Sequence, residues 1–417
     1  MTFMNKFFLS LVLIIGLAGN VSAQNIAAVN EDGVTIYYDY TNGGRDLEVA
    51  ISASGRYAGV IKIPSSVTYM NRTRNVVGIG VKAFSECRNV SSVIIPDSVT
   101  SIGKKAFEEC VGLKSVIIPD SVTSIGDYAF NGCFNLKSVT MSRSLISIGA
   151  YAFHDCGAIT SISFPNTLKS IGSYAFYGCG GLRSINIPNS VTSIEDYTFS
   201  GCYGATSLTI PSSVTRIGSM AFYNCISLTA ITIPNSVKSI DSSAFSHCDG
   251  ITSITIPNSL TKIESGLFYG CVKLTSVTIP NSITSIGDNA FDRCGNLTSV
   301  IVPNSVKSIG ARAFKECKSL VSIIIPDSVT TIGQEAFIQC IKLESVTLGK
   351  SVDNIGDNAF DDCYELSTIV SKIASPCKIN SKCFEQDVFF NSTLRVPSGT
   401  IGNYKATEFW NKFVFIE

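Results

Sequence analysis

The 417-residue sequence has two histidines, one tryptophan and no excess of either charge, with 32 Lys and Arg against 32 Asp and Glu. Each shortage excludes something. Two histidines do not supply a Ser-His-Asp set or a His-rich metal centre, and there is no phosphate loop or HExxH stretch. Neither an enzymatic activity nor a cofactor or metal is therefore expected. A zero net charge offers no basic surface to displace counterions from a polyanion, which excludes nucleic acid as an expected partner. Charged residues make up only 15% against 45% hydrophobic. A chain of that balance can bury enough surface to offset its ordering entropy, so disorder is excluded as well. Long apolar runs are also missing: none approaches the roughly 20 residues that span a bilayer.

The longest apolar run lies near the start, from Phe7 to Leu17, after a single early cation at Lys6 and before the small residues Val21-Ser22-Ala23. This is the plan of a secretory signal, residues 1–23, with cleavage expected before Gln24. The mature chain is then expected to be exported, with no transmembrane segment, to the cell surface or medium. The periplasm is the alternative destination.

What the sequence has in excess is cysteine, 15 in all. Thirteen of them, from Cys87 and Cys110 to Cys340 and Cys363, follow one another at a constant step of 23 residues. Phe keeps the same step from Phe84 to Phe360, and Ile from Ile79 to Ile355. Such self-similarity predicts a solenoid of about 13 coils, each burying its apolar face only against its neighbours.

One repeat shows how a coil is built. Leu297-Thr298-Ser299-Val300-Ile301-Val302-Pro303 alternates apolar and small polar residues, which suits a strand with Leu297, Val300 and Val302 inward and Ser299 and Ile301 outward. Pro303 ends it, Asn304-Ser305 supplies a turn, and a second extended piece runs from Val306 to Ile309. Gly310 marks a tight corner, and Ala313, Phe314 and Cys317 are spaced as one helical or 3₁₀ turn. Ser98, Ser121, Ser190, Ser236, Ser282, Ser305 and Ser328 recur where the chain leaves the first strand, placed to bond loop backbone. The thirteen cysteines are expected to form a column of buried free thiols, since an odd number in identical surroundings does not pair off and a straight column does not converge on a metal. Cys377 and Cys383 stand outside the series and form a candidate disulfide.

The segment IPDSVTSIGDYAFNGCFNLKSV (118–139) resembles the BspA-like leucine-rich repeat of bacterial surface and secreted proteins, and the likeness extends over roughly residues 60–371. The resemblance implies a right-handed, β-rich leucine-rich-repeat solenoid with one continuous parallel sheet, displayed on cell surfaces and associated with adhesion to host extracellular matrix proteins or to other cells. It divides the chain into the signal (1–23), an N-terminal β-rich cap and lead-in (24–78), the solenoid (79–371) and a C-terminal cap (372–417) around Trp410, Phe409, Phe413 and Phe415. Departures are local. Glu195, Asp241 and Glu264 replace the corner Gly, Thr198 and Leu267 replace the Ala before Phe, and about nine extra residues including Arg72 and Arg74 precede Ile79.

Two surfaces vary enough to carry recognition. Tyr128, Tyr151, Tyr174 and Tyr197 repeat just before the Ala-Phe pair and form a candidate ligand-binding ladder, or else a stack that covers the coil junctions. The outward strand face alternates Ser138, Ser161, Ser184 and Ser207 with Thr140, Ser163, Asn186 and Thr209. The expected function is that of a monomeric, non-enzymatic adhesin whose partners are extracellular proteins or cell surfaces. A periplasmic or secreted structural scaffold and a glycan-binding module are the alternatives.

Overall fold

The computed structural model describes residues 26–53 and 56–417, so the expected signal at 1–23 lies outside the described residues. The chain forms two compact units, Met1–Arg183 and Ser184–Glu417. Both are β-solenoids with a repeat of 23 residues, about 15 turns in total when the Phe-like column is followed from Tyr57 to Phe384.

The first unit opens with β1 (Ile26–Val29), β2 (Thr35–Thr41) and β3 (Asp46–Val49), an antiparallel meander. Next come β4 (Ala58–Lys62), β5 (Ser66–Tyr69), β6 (Arg72–Ile79) and β7 (Asn89–Ile94). The extra residues before Ile79 are the β5–β6 hairpin, turned through Met70 and Asn71, which both have positive φ as a tight two-residue turn requires. Strand β6 pairs in parallel with β3 on one side and with Ser101–Ile102 on the other, so the insertion ties the meander to the first coil. Arg74 adds to this tie, its Nε donating to the Gly44 carbonyl at 2.9 Å with its guanidinium over the Tyr40 ring.

From there each coil contributes to two parallel ladders rather than to the single continuous sheet implied by the resemblance. Two-residue strands such as Ser124–Ile125 and Ser147–Ile148 form one ladder, and three-residue strands such as Ser115–Ile117 and Ser138–Thr140 form the other. The second unit repeats both, for example Ser285–Ile286 with Ser308–Ile309, and Ser253–Thr255 with Ser276–Thr278. The three-residue ladder is interrupted: residues 161–163 and 230–232 form no strand. Orientation follows the alternation. Leu297, Val300 and Val302 are buried, while Ser299 is exposed and Ile301 is 83% exposed.

The Ala-Phe-Cys segment is a staircase of turns and not a helix. Phe130 N–H donates to the Ala152 carbonyl of the next coil at 2.7 Å, and Cys133 N–H to the Phe130 carbonyl of its own coil at 3.2 Å. A helix is ruled out because alternate amides are committed to the following coil. The steps need left-handed backbone twice per coil, at the residue before Ala and again before Cys, as at Lys105 and Glu109 (φ 58° and 55°). On the strand side the direction reverses: Thr123 and Gly126 N–H donate back to the Thr100 and Ile102 carbonyls at 2.9 and 2.8 Å. The corner glycine is needed for close approach and not for positive φ. A Cβ on Gly310 would sit 2.6 Å from Asp288 N and 2.7 Å from the Gly287 carbonyl carbon.

The core is a set of columns. Phe107, Phe130, Cys110, Cys133 and Leu136 are all at 0% exposure. In the first unit successive Phe rings stack at 5.0 to 5.2 Å. In the second the spacing follows the departures from the repeat. It widens to 5.8 Å between Phe199 and Phe222 and to 6.0 Å between Phe245 and Phe268, where Glu195 or Glu264 fills the corner and Thr198 or Leu267 replaces Ala, then returns to 5.2 Å from Phe314 to Phe360. Bulk at those two positions holds the coils apart. The extra charge is met locally: Arg216 reaches Glu195, Asp196 and Asp241 at 3.2, 3.1 and 2.6 Å, and Lys262 pairs with Glu264 at 2.6 Å.

Candidate binding surfaces

The tyrosine ladder is a true stack. Tyr128 lies 4.6 Å from Tyr151, and Tyr151 4.5 Å from Tyr174, with rings within 4° of parallel. All three are half-buried, as is Tyr197, which has the same left-handed backbone (φ 57°) in the second unit. That conformation costs an L-residue roughly 1–2 kcal/mol. Asn289, Asn358 and Gly266 hold the equivalent place in other coils, and Asn and Gly tolerate the conformation better. Stacking at about 0.5–1.5 kcal/mol per pair offsets much of the tyrosine cost. It also uses up the ring faces, so that Tyr151, stacked on both sides, presents its edge and hydroxyl.

A second aromatic strip runs beside the first, one place after the Phe column. His154 stacks on Tyr177 at 4.9 Å and touches Tyr151 at 5.4 Å, giving the first unit a platform of five rings. In the second unit His247 meets Tyr223 and Tyr269 edge-on at 5.6 and 5.1 Å, and the Arg293 guanidinium lies 5.6 Å over Tyr269. Neither Tyr177, Tyr223 nor Tyr269 was legible as a site residue. Ser200 and Ser246 share the column and break its aromatic pattern, which hides it when only unbroken series are sought. Burial holds His154 toward its neutral form even with Asp155 at 3.3 Å.

The outward strand face carries mostly short hydroxyls, with exposed Ile117, Ile301 and Ile324 at the equivalent place in other coils. Ser138, Thr140, Ser161, Ser163, Asn186, Ser207 and Thr209 are exposed and Ser184 is half-exposed. Of the serines at the strand exits, Ser98, Ser121, Ser305 and Ser328 bond backbone as expected, whereas the buried hydroxyls of Ser236 and Ser282 make no hydrogen bond among the described residues. Ser121, Ser305 and Ser328 hydroxyls donate to the Val99, Ile283 and Val306 carbonyls of the preceding coil at 2.6 to 2.7 Å. They have no acid–base partner that would activate them as nucleophiles.

The thirteen column cysteines are free and buried. Most share one hydrogen bond. Cys133 Sγ donates to the Phe107 carbonyl at 3.1 Å, and the same bond recurs coil after coil to Cys363 with Phe337 at 3.3 Å. Burial pushes these thiols up, to about 12 at Cys133 and Cys225, which keeps them protonated and unreactive. Cys377 and Cys383, the candidate disulfide, are both free thiols in the structure. Cys383 is fully buried and its carbonyl accepts from Phe360 N–H at 2.9 Å, so it fills the Ala place of one further coil, with Phe384 stacked 5.5 Å from Phe360. Asp361, Asp362 and Glu385 bring three carboxylate oxygens within 4.8 Å of one another, and partial burial together with the neighbouring charges raises Asp361.

The comparisons with known proteins agree with this geometry. Six copies of the BspA type leucine rich repeat region match, over residues 77–205, 169–298 and 284–404. The chain belongs to the BspA type leucine-rich repeat family. Among solved structures, a leucine-rich repeat protein from Bacteroides ovatus is 31% identical, with a TM-score of 0.71 over 87% of this chain and 98% of that one. A leucine rich cell surface protein from Faecalibacterium prausnitzii is 29% identical, with a TM-score of 0.53 over 84% of this chain and 96% of that one. Among curated proteins none matches. Members of this family are typically surface proteins of bacteria. No described helix of the chain is long and apolar enough to cross a membrane.

Proposed function

We propose that this chain is an exported, surface-displayed, non-enzymatic adhesin that holds host extracellular matrix proteins or the surfaces of other cells along its coils. The observation that carries the reading is the recurrence, within each unit, of small hydroxyl side chains on the outward strand face, with exposed isoleucines such as Ile117 and Ile301 among them. A repeated, uncharged platform favours broad contact with a macromolecule over enclosure of a small substrate. The secretory pattern of residues 1–23 supports export. The cell surface protein from F. prausnitzii supports display.

Solid-phase binding of residues 24–417 to purified matrix proteins and to whole cells tests the adhesin reading. Saturable binding to at least one supports it, and none to any of them sinks it. Protease accessibility on intact cells separates it from a periplasmic scaffold, which would be protected. A glycan-binding reading is favoured by the ordered stack of half-buried tyrosines beside His154 and Tyr177. Because the ring faces of Tyr151 are taken, contact there would run through its hydroxyl, so Tyr151→Phe should abolish binding on a carbohydrate array without unfolding the chain.

A further inference from the structure

Near the C-terminus of the second unit, α1 (Gln386–Asn391) and the 3₁₀ turn Trp410–Lys412 enclose a cleft of 560 Å³ lined by Ser381, Gln386, Phe389, Phe390 and Lys412. Its volume is that of an ordinary small-ligand site. Its apolar side is anchored in the core: Phe389 is 3% exposed and packs on Phe413 at 5.0 Å and Phe384 at 6.0 Å. Phe390 is different, since 53% of it is exposed beside the cleft.

The polar side is Lys412. It forms no ion pair among the described residues, and its Nζ lies 4.8 Å from the Phe409 ring centre. Phe409 itself has φ 67° and ψ −37°, a region close to the strained γ-turn and costly for a bulky residue. The neighbours hold it there. Trp410 is fully buried with Nε1–H donating to the Cys377 carbonyl at 2.8 Å, and Lys412 N–H donates to the Phe409 carbonyl at 3.1 Å. The strained residue thus sits under the ammonium of a cleft-lining lysine, where it fixes the place of that charge.

We propose that this cleft binds small amphipathic carboxylates, with an apolar body against Phe389 and Phe390 and the carboxylate paired with Lys412. The Gln386 amide and the Ser381 hydroxyl are the further donors on the lining. A free carboxylic acid and the C-terminal carboxylate of a peptide ending in an apolar residue share this chemistry. The proposal does not rest on the adhesin reading, and either can fail without the other.

Trp410 is the only tryptophan in the sequence and stands two residues before Lys412, so its emission reports on the cap that carries the cleft. Isothermal titration calorimetry reads the same titrations without depending on the buried indole. The full mature chain is titrated with octanoate, 4-phenylbutyrate and N-acetyl-Gly-Phe, each against its neutral amide. The expected result is saturation with at least one acid at about 1 mM or below, with its amide at least ~10-fold weaker. Lys412→Met should weaken that acid by ~10-fold or more, and Phe390→Ser should weaken acid and amide alike, both with unchanged melting temperature. Preference among the acids identifies the source. No saturation by any acid up to ~10 mM, equal binding of acid and amide, or an unaltered Lys412→Met would each overturn the proposal.

Discussion

Phe222→Ala tests the packing account most directly. The ring is fully buried and lies 5.8 Å from Phe199 and 5.4 Å from Phe245, so one truncation opens both junctions of its coil. Removing a buried Phe costs about 3–5 kcal/mol, of which two stacked pairs supply about 0.5–1.5 each. The spacing then sets a rank order. Phe130, with both neighbours at 5.0 Å, loses closer contacts than Phe222, so Phe130→Ala belongs near the top of that range and Phe222→Ala near the bottom. Urea unfolding followed by far-ultraviolet circular dichroism measures both. Since a coil couples only to its neighbours, the damaged region should also melt ahead of the rest and broaden the transition. A loss below about 1 kcal/mol at either site would show that the Phe column is not core. A larger loss at Phe222 than at Phe130 would refute the argument from ring spacing.

Three further outcomes follow from the same geometry. The column thiols should resist a thiol-reactive disulfide reagent in the folded chain, leaving half-buried Cys377 as the one accessible group; after denaturation without reductant, 15 reactive thiols mean Cys377 and Cys383 are unbonded and 13 mean they are paired. Gly310→Ala should cost about 1–3 kcal/mol in thermal or urea unfolding, because its Cβ would fall 2.6 Å from Asp288 N, whereas Gly402→Ala in α2 (Ile401–Ala406) meets nothing within 4 Å and should be neutral or mildly stabilising. Asp292 is 4% exposed, its Oδ1 has no hydrogen-bond partner, and burial raises its carboxyl to about 6 even with Lys315, Arg293 and Arg312 nearby and Glu316 opposing them. The folded state then holds more protons than the unfolded one between pH 4 and 6, so stability should fall as pH rises through that window. Asp292→Asn should remove the fall, and an unchanged pH profile of the melting temperature in that variant would contradict it.

The columns were legible because the physics of a coil is the same at every repeat. Phe314, Cys317, Leu297 and Val300 occupy the places that their spacing assigned, since each has one neighbour above and one below to be buried against. The left-handed backbone was not legible. Tyr, Lys, Glu and Arg all occupy those positions, none of which signals positive φ, and the conformation is imposed by amides committed to the next coil. The ends were read only in part. Tyr57 takes the Phe place ahead of Phe84, and Cys383-Phe384 supply an Ala-Phe pair after Phe360, both off the step of 23 by an insertion or a residue too many. The cleft beside Phe390 has no sequence signature at all, because it arises where two short helical segments meet across the fold.

The opposed directions of bonding at each junction have a consequence for how such a chain changes length. Within a unit, staircase amides point to the next coil and those around the corner, such as Thr123 and Gly126, to the previous one, so each coil offers above what its neighbour requires below. Removing any 23 consecutive residues from the interior of a unit rejoins matching faces, while removing 22 or 24 displaces every column after the cut. Variation by recombination is thus filtered to whole coils, and the extent of the platform becomes a heritable quantity separable from the chemistry of either end.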